Sequence, residues 1–415
     1  MEIISDLHIH SRFARACSKD ITINNLEKYA KIKGLNLLGT GDFTHPKWIQ
    51  ELKSELTPDD QGILWTKDKF PFLLQSEISL IYSQGGKGRR IHYVMLAPSF
   101  EVVDQITEFL LSRGRLDYDG RPIFGMSSID LLENLRSISL DIEMICAHAF
   151  TSWFGIFGSK SGFNSIKECF EEKARYIHAI ETGMSANPEM CWRIKELDNY
   201  QLVSFSDPHS AYPWRLGREA TTFETKELTY KNILKAIRTG EGLKETKETE
   251  PSYGKFHYDG HRACNILFSP EQTRKHKGIC PICKKPLTIG VEYRVEELAA
   301  RSLGYKPENA KPFKTLIPLS ELICHAYNIK QPTSKKCQEI YEALISKYKN
   351  EFNVLLNLND FSNLEPKLVD LILKNRNRQL HIKPGYDGVY GEIIDEEFKT
   401  KEYETTQKGL FNFYV

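Results

Sequence analysis

From residue 1 to about 240 the chain alternates short apolar runs with amphipathic stretches. Runs with strand character cover residues 2–5, 35–39, 72–81, 91–96, 142–147, 178–180, 202–205 and 220–223. Between most of them apolar positions recur at helical spacing, over 25–32, 101–111, 128–138 and 188–197. Asn24 or Asn25 is the expected cap of the first helix, a serine precedes the third, and Pro188 opens the fourth. This alternation predicts an α/β fold: a mostly parallel sheet with helices outside, closed into a barrel related to the (β/α)8 type.

The pattern changes downstream. Residues 241–255 are charged, carry Gly and Pro and lack apolar periodicity, which predicts a linker. Residues 256–300 form a compact cysteine-bearing module. Residues 301–394 are mainly helical, with helices expected over 317–326, 335–348 and 368–378 before a turn and small hairpin. Residues 395–415 read as a polar tail with a terminal apolar cluster.

Composition narrows the class. At 40% hydrophobic and 27% charged residues the chain is ordinary for a soluble globular protein. A net charge of +1 requires any nucleic-acid surface to be a local patch. No apolar run reaches membrane-spanning length, and the core-like strand that starts next to residue 1 predicts no signal peptide. Nine scattered cysteines then predict a reducing, cytoplasmic setting with thiols and a metal site, not a disulfide framework.

Candidate chemistry gathers at the strand ends. His8 and His10 close the first strand; residues two apart on a strand share a face and can offer two imidazoles to one ion. Asp42, Glu77, His92, His148, Asp207 and His209 follow at or near later strands. Each alone is as well read as a surface carboxylate or a satisfied core histidine. Eight ionisable groups around one barrel mouth are costly unless paired or metal-bound. So large a mixed His/Asp/Glu set exceeds one tetrahedral site and predicts two or three divalent ions with a bridging carboxylate, suited to phosphoester hydrolysis. Zn2+, Mn2+, Fe2+ and Mg2+ all fit these donors.

His8-x-His10, Thr40-Gly41-Asp42, Glu77, His92, His148 and Asp207-x-His209 together resemble the polymerase and histidinol phosphatase (PHP) superfamily. The resemblance implies a distorted (β/α)7 barrel. It implies that His8, His10, Glu77 and Asp207 hold one metal, and that Glu77 bridges to a second held by His92 and His148. Asp42 and His209 would serve a third, with Cys17 or His45 as further contributors. The chain departs from the family pattern at Asp42, where a histidine often follows the aspartate, and around residues 17–19.

Beyond the barrel, His261-x2-Cys264 and Cys280-x2-Cys283 have the spacing of a structural Zn2+ site, with His257 as the alternative to His261. Arg274 and Lys275 belong to a basic cluster around it that suits phosphate-backbone contact. Trp153, Phe154 and Lys160, in the loop after His148, are suited to base stacking and phosphate contact, with buried packing of the two aromatics as the alternative.

The order of these parts resembles the endonuclease Q family: a PHP barrel, the cysteine module, Gly290-Val291-Glu292-Tyr293-Arg294-Val295, a helical region with Ile317-Pro318-Leu319, and Pro384-Gly385-Tyr386-Asp387-Gly388-Val389-Tyr390-Gly391. That resemblance implies a DNA-repair endonuclease acting 5′ to a deaminated base (uracil, hypoxanthine or xanthine) or abasic site, leaving 3′-hydroxyl and 5′-phosphate ends. Glu77 and Asp207 would be its catalytic carboxylates, damaged DNA its partner, and the cytoplasmic nucleoid its place. Gln407, Leu410, Phe413 and Tyr414 resemble the box that docks on the sliding clamp PCNA. Two other readings are a PHP phosphatase on a small phosphomonoester and a non-catalytic DNA-binding clamp adaptor.

Overall fold

The computed structural model describes residues 1–362 and 364–401. Its strands form two principal sheets, one of eight strands and one of six, with helices packed around them. The mixed α/β architecture is as expected from the alternating pattern, and the strands at Glu2–Asp6, Glu143–Cys146 and Ala220–Glu224 lie where the apolar runs place them.

Parallel pairing is only part of the order. Glu2–Asp6 runs parallel to Leu37–Gly39, which runs parallel to Pro71–Leu73. On its other side Glu2–Asp6 is antiparallel to Ala220–Glu224. In the second sheet Gln75–Gln84 and Lys87–Leu96 form a long antiparallel hairpin. Its turn is Gly85-Gly86, both at positive φ (61° and 72°), the conformation a two-residue hairpin turn demands and glycine supplies at least cost. The sequence reading took these strands as separate barrel staves; the Gly-Gly pair is the signal that makes them one hairpin.

The two sheets meet at two places. Pro71–Leu73 and Gln75–Gln84 are consecutive, separated only at Leu74. At the other seam Thr221 Oγ1 accepts from the Ser204 N–H and donates to the Ser204 carbonyl, both at 2.9 Å.

Caps explain several helix starts. Thr22 caps Ile23–Lys33 through Asn25 N–H, so the helix begins before Asn24 and Asn25, the expected caps. Ser127 and Asp130 close a capping box on Ser128–Ile138. The expected helix over 188–197 breaks into an α-helix, Pro188–Trp192, and a 3-10 turn, Lys195–Asn199.

The segment expected as a linker holds a strand. Leu243–Glu248 pairs with Ala220–Glu224 on one side and Phe313–Thr315 on the other. Thr246, Lys247 and Glu248 are buried there, because Lys247 donates to Thr222 at 2.7 Å and Glu248 accepts from Thr182 at 2.7 Å. Polar residues therefore hid a core strand whose charges find partners inside.

The cysteine module has a small core of its own, Ile266, Phe268, Cys280 and Leu287. Arg294 ties it to the loop after His148 through the Phe157 and Phe163 carbonyls. The C-terminal helices Leu319–Ala326, Lys335–Tyr348 and Pro366–Arg376 follow; Glu351, just past the second, accepts from the Leu319 N–H and the Tyr341 hydroxyl and pairs with buried Lys33 of the first helix at 2.8 Å. A hairpin of His381–Lys383 and Glu392–Ile394 follows. Gln407, Leu410, Phe413 and Tyr414 lie outside the described residues.

Candidate metal centre and its cavity

Glu77 is the hub. Its carboxylate is fully buried and five cationic or imidazole groups converge on it. Oε1 lies 2.7 Å from His92 Nδ1 and 3.2 Å from His148 Nε2. Oε2 lies 3.2 Å from His10 Nε2, 3.5 Å from His8 Nε2 and 3.1 Å from an Arg121 guanidinium nitrogen. Asp207 completes the other side, with Oδ1 2.9 Å from His10 Nε2 and 3.8 Å from His8 Nε2. Two donor sets result: His8, His10, Glu77 and Asp207; and Glu77, His92 and His148, with all ligand atoms in each set within 4.8 Å of one another.

Local structure delivers each group. His92 stands opposite Ser79 in the long hairpin, and Glu77 is two residues from Ser79 on the same face. Glu77 and His92 are therefore diagonal neighbours by register, not residues at the ends of parallel strands. His148 and Asp207 lie just past their strands at positive φ, 28° and 43°. Such backbone is costly for these residues and persists only where neighbours enforce it. For Asp207 the neighbours are clear: its N–H donates to the His8 carbonyl at 3.0 Å. Asp6 holds the preceding residue by accepting from the Ser206 N–H and hydroxyl. For His148 it is Glu181, which accepts its N–H at 2.6 Å, and Gly183 leaves the room, since a Cβ there would stand 2.7 Å from the His148 Cβ.

A further layer orients the imidazoles. Glu181, fully buried, lies 3.0 Å from His8 Nδ1 through both oxygens and accepts the His148 N–H at 2.6 Å. This turns His8 Nε2 to the cluster, where it is buried without a hydrogen-bond partner among the described residues. Asp42 does the same for His10, 3.0 Å from its Nδ1, and spends its other oxygen on the Ser11 N–H and hydroxyl, both 2.6 Å. Asp42 and His209, expected as ligands of a third metal, join neither donor set. Asp42 is committed to His10 and Ser11, while the half-exposed His209 ring stands 5.1 Å from that of His10. Cys17 and His45 also lie outside both sets.

Charge balances by proximity. Burial disfavours the imidazolium of His8, yet Glu181 and Glu77 outweigh it and raise its pKa well above the ordinary value. Burial equally disfavours the Glu77 carboxylate, but His92, Arg121 and His8 hold its pKa well below the usual range. Burial dominates at His92 and lowers its pKa to about 4, leaving a neutral imidazole with a free lone pair. A divalent cation would compete with protons for the same donor atoms.

The centre opens into a cavity of about 720 Å3. Trp153 and Phe154, singled out in the sequence, line it: Phe154 packs its ring 4.4 Å from that of His92, and Trp153 meets Phe256 edge to face at 5.5 Å. Lys160 lies 6.0 Å from the Trp153 ring, beyond the cavity rim. Sequence reasoning missed Asp6, Arg121 and Glu181. Arg121 follows a Gly in a loop with no periodicity, while Glu181 ends its own short strand and was a visible signal.

The second cluster is His261, Cys264, Cys280 and Cys283. Cys283 Sγ lies 3.4 Å from His261 Nδ1. His257, the alternative, is buried against Tyr258 outside the cluster. Arg274 and Lys275 stand exposed on the helix Pro270–Lys275 and pair with Glu296 at 2.7 Å and Glu271 at 2.9 Å. No helix among the described residues is long and apolar enough to cross a membrane.

Comparison with known proteins extends the picture. A model of the MJ0043 C-terminal domain matches residues 318–379. The uncharacterized protein MJ0043 of Methanocaldococcus jannaschii is 33% identical over 263 residues, 62% of this chain and 32% of that protein. The match thus spans about a third of that relative's length. The uncharacterized protein YqxK of Bacillus subtilis is 25% identical over 418 residues, 94% of this chain and 99% of that protein. Among solved structures, the lesion-specific endonuclease PfuEndoQ from Pyrococcus furiosus matches with a TM-score of 0.84 and 30% identity over 95% of each chain. Endonuclease Q in complex with a 27-mer duplex bearing an abasic lesion at its active site matches with a TM-score of 0.85 and 30% identity, covering 95% of this chain and 96% of that one. With that likeness running nearly end to end, the chain belongs to the endonuclease Q family.

Proposed function

We propose that this chain is a metal-dependent DNA-repair endonuclease. It hydrolyses the phosphodiester 5′ to a deaminated base or abasic site and leaves 3′-hydroxyl and 5′-phosphate ends. One observation carries the reading: two donor sets share Glu77 and present His92, His148 and Asp207 to a cavity with aromatic walls, in a chain that matches endonuclease Q over 95% of its length. The donors fit divalent ions. Among the described residues His8 Nε2 is buried without a hydrogen-bond partner and faces two carboxylates, an arrangement costly without a cation.

His8, His10, Glu77 and Asp207 hold one ion, and Glu77, His92 and His148 a second, drawn from Zn2+, Mn2+, Fe2+ or Mg2+. Such ions supply Lewis-acid activation of water and neutralise charge on the phosphate oxygens. Glu77 and Asp207 are the catalytic carboxylates and fix the spacing of the two sets. Arg121 offers a cation beside them for a non-bridging phosphate oxygen. Trp153 and Phe154 take a base turned out of the stack, which costs least at a damaged or mismatched position.

We read the two sheets as one distorted barrel, continuous at Leu74 and bridged by Thr221. Zn2+ held by His261, Cys264, Cys280 and Cys283 shapes the adjoining module, whose three thiolates and one imidazole are a zinc donor set. Arg274 and Lys275 with Lys160 extend the DNA contact. Gln407, Leu410, Phe413 and Tyr414 act as a PCNA-docking box, and the site of action is the cytoplasmic nucleoid.

Labelled duplexes containing uracil, hypoxanthine, an abasic site or no lesion, with and without chelator, test the reading. Lesion-specific, chelator-sensitive nicking is expected. Hydrolysis of small phosphomonoesters without nicking, or binding without hydrolysis, overturns it.

A further inference from the structure

The glycine-rich segment 384–391 has a definite mechanical role. Its backbone lies directly on residues 252–258: Gly385 N–H donates to Ser252 O at 2.8 Å, Gly388 N–H to Lys255 O at 3.0 Å and Gly391 N–H to Tyr253 O at 3.0 Å. A Cβ at Gly385 would stand 2.1 Å from the Gly254 carbonyl oxygen, so only glycine allows this approach. Asp387 adds a hydrogen bond from the Arg262 N–H at 2.7 Å. The segment is a rigid mount, and the side chain it delivers is Tyr390, into the same cavity as the metal centre.

Cations surround that ring. Lys255 Nζ lies 4.6 Å from its centre and Arg215 Cζ 5.8 Å. Arg218 lines the cavity beside them. Burial pushes the Tyr390 hydroxyl up, but Arg218, Arg215 and Lys255 outweigh burial and hold its pKa below the ordinary value. Arg218 also donates to the Ser206 carbonyl at 3.0 and 3.2 Å, next in sequence to Asp207. Among the described residues neither Arg218 nor Lys255 makes a salt bridge, and Arg215 meets Glu321 only at 3.6 Å. The wall is thus rich in donors and cations and poor in carboxylates. It shares one cavity with the aromatic pair Trp153 and Phe256. A base edge needs a matched set of donors and acceptors, whereas a phosphate diester takes donors and positive charge alone.

We propose that Tyr390, Arg215, Arg218 and Lys255 form a second phosphate subsite, holding a DNA backbone phosphate that flanks the scissile one on the Asp207 side of the metal centre. The subsite rests on the nuclease reading above. It pins the strand on both sides of the break while the aromatic wall takes the extruded nucleoside.

The test uses the full chain and abasic duplexes that each carry one neutral methylphosphonate at successive positions around the scissile bond. In the wild type, one flanking position is expected to lower kcat/KM by about tenfold or more, the loss of a charge-assisted contact. Lys255→Ala and Tyr390→Phe are expected to lower kcat/KM on unmodified abasic DNA and to shrink the penalty at that same position, leaving the others unchanged. Arg218→Lys keeps the charge and is expected to retain most of the penalty. Lys255 is exposed, so its truncation leaves the fold intact. Wild-type nicking with no flanking penalty, or with a penalty the variants leave unchanged, overturns the subsite alone. Absence of wild-type nicking overturns the nuclease reading beneath it.

Discussion

Glu181→Gln separates the metal centre from the fold that carries it. Glu181 is not in either donor set, yet both its oxygens face His8 Nδ1 at 3.0 Å and one accepts the His148 N–H at 2.6 Å. The amide keeps size and shape but removes the charge that makes His8 a stronger donor and fixes its tautomer. Loss of such an outer partner costs about 10–100-fold in metal affinity or activity, or about 1.4–2.7 kcal/mol. Stability should move the other way. Glu219 and Glu248 are fully buried, and each is pushed up in pKa by burial and, in part, by Glu181. Removing the Glu181 charge relieves that repulsion on both carboxyls. The assay is a metal titration of nicking on an abasic duplex, with urea unfolding of the metal-free protein in parallel. The expected result is an activation curve displaced to about 10–100-fold higher metal, with maximal nicking largely recovered and stability equal or higher. An undisplaced curve, or a loss of activity that tracks a loss of fold, refutes the positioning role.

Three further outcomes follow from the geometry. Burial raises the Glu248 pKa to about 7 from an ordinary 4.5, so the folded state keeps a proton that the unfolded chain releases; this contribution is intact below the unfolded value and is lost as pH rises through about 7. Urea midpoints are thus expected to fall between about pH 5 and about pH 8, and Glu248→Gln to flatten the slope. Gly183→Ala places a Cβ 2.7 Å from that of His148 at a φ of 68°. About 1–3 kcal/mol of stability and much of the metal bound by the His92–His148 set should be lost, read by thermal unfolding and metal content. Cys283→Ser removes one of four convergent donors. It should release zinc from the module and weaken duplex binding, measured by a chromogenic chelator and fluorescence anisotropy, while the barrel ions stay bound.

Much of the centre was legible in the sequence because it uses residue types that are costly to place at strand ends. His8, His10, Glu77, His92, His148 and Asp207 all converge as their chemistry required. The cysteine module was equally legible, since tight knuckles bring their own ligands together locally. Three things were not. The Gly85-Gly86 hairpin passed as two separate strands because alternation in burial looks alike in parallel and antiparallel pairs. Leu243–Glu248 passed as a linker because its charged residues find partners only in three dimensions. The contact of Asp42 with His10 was hidden because a carboxylate orienting an imidazole and one binding a metal have the same signature in one dimension. Tyr390 gave a conspicuous motif without a role until the loop was seen resting on residues 252–258.

The most direct test of the account is lesion-dependent nicking by the wild type and by Asp207→Asn under saturating metal. Asp207 Oδ1 stands 2.9 Å from His10 Nε2 and 3.8 Å from His8 Nε2, so the substitution removes a charge from one donor set and leaves the aromatic and cationic residues of the cavity in place. The expected result is chelator-sensitive nicking 5′ to an abasic site or deaminated base by the wild type, and none by the variant, with both binding the duplex comparably. Nicking by Asp207→Asn at the wild-type rate would contradict the assignment of the metal centre as the seat of the chemistry.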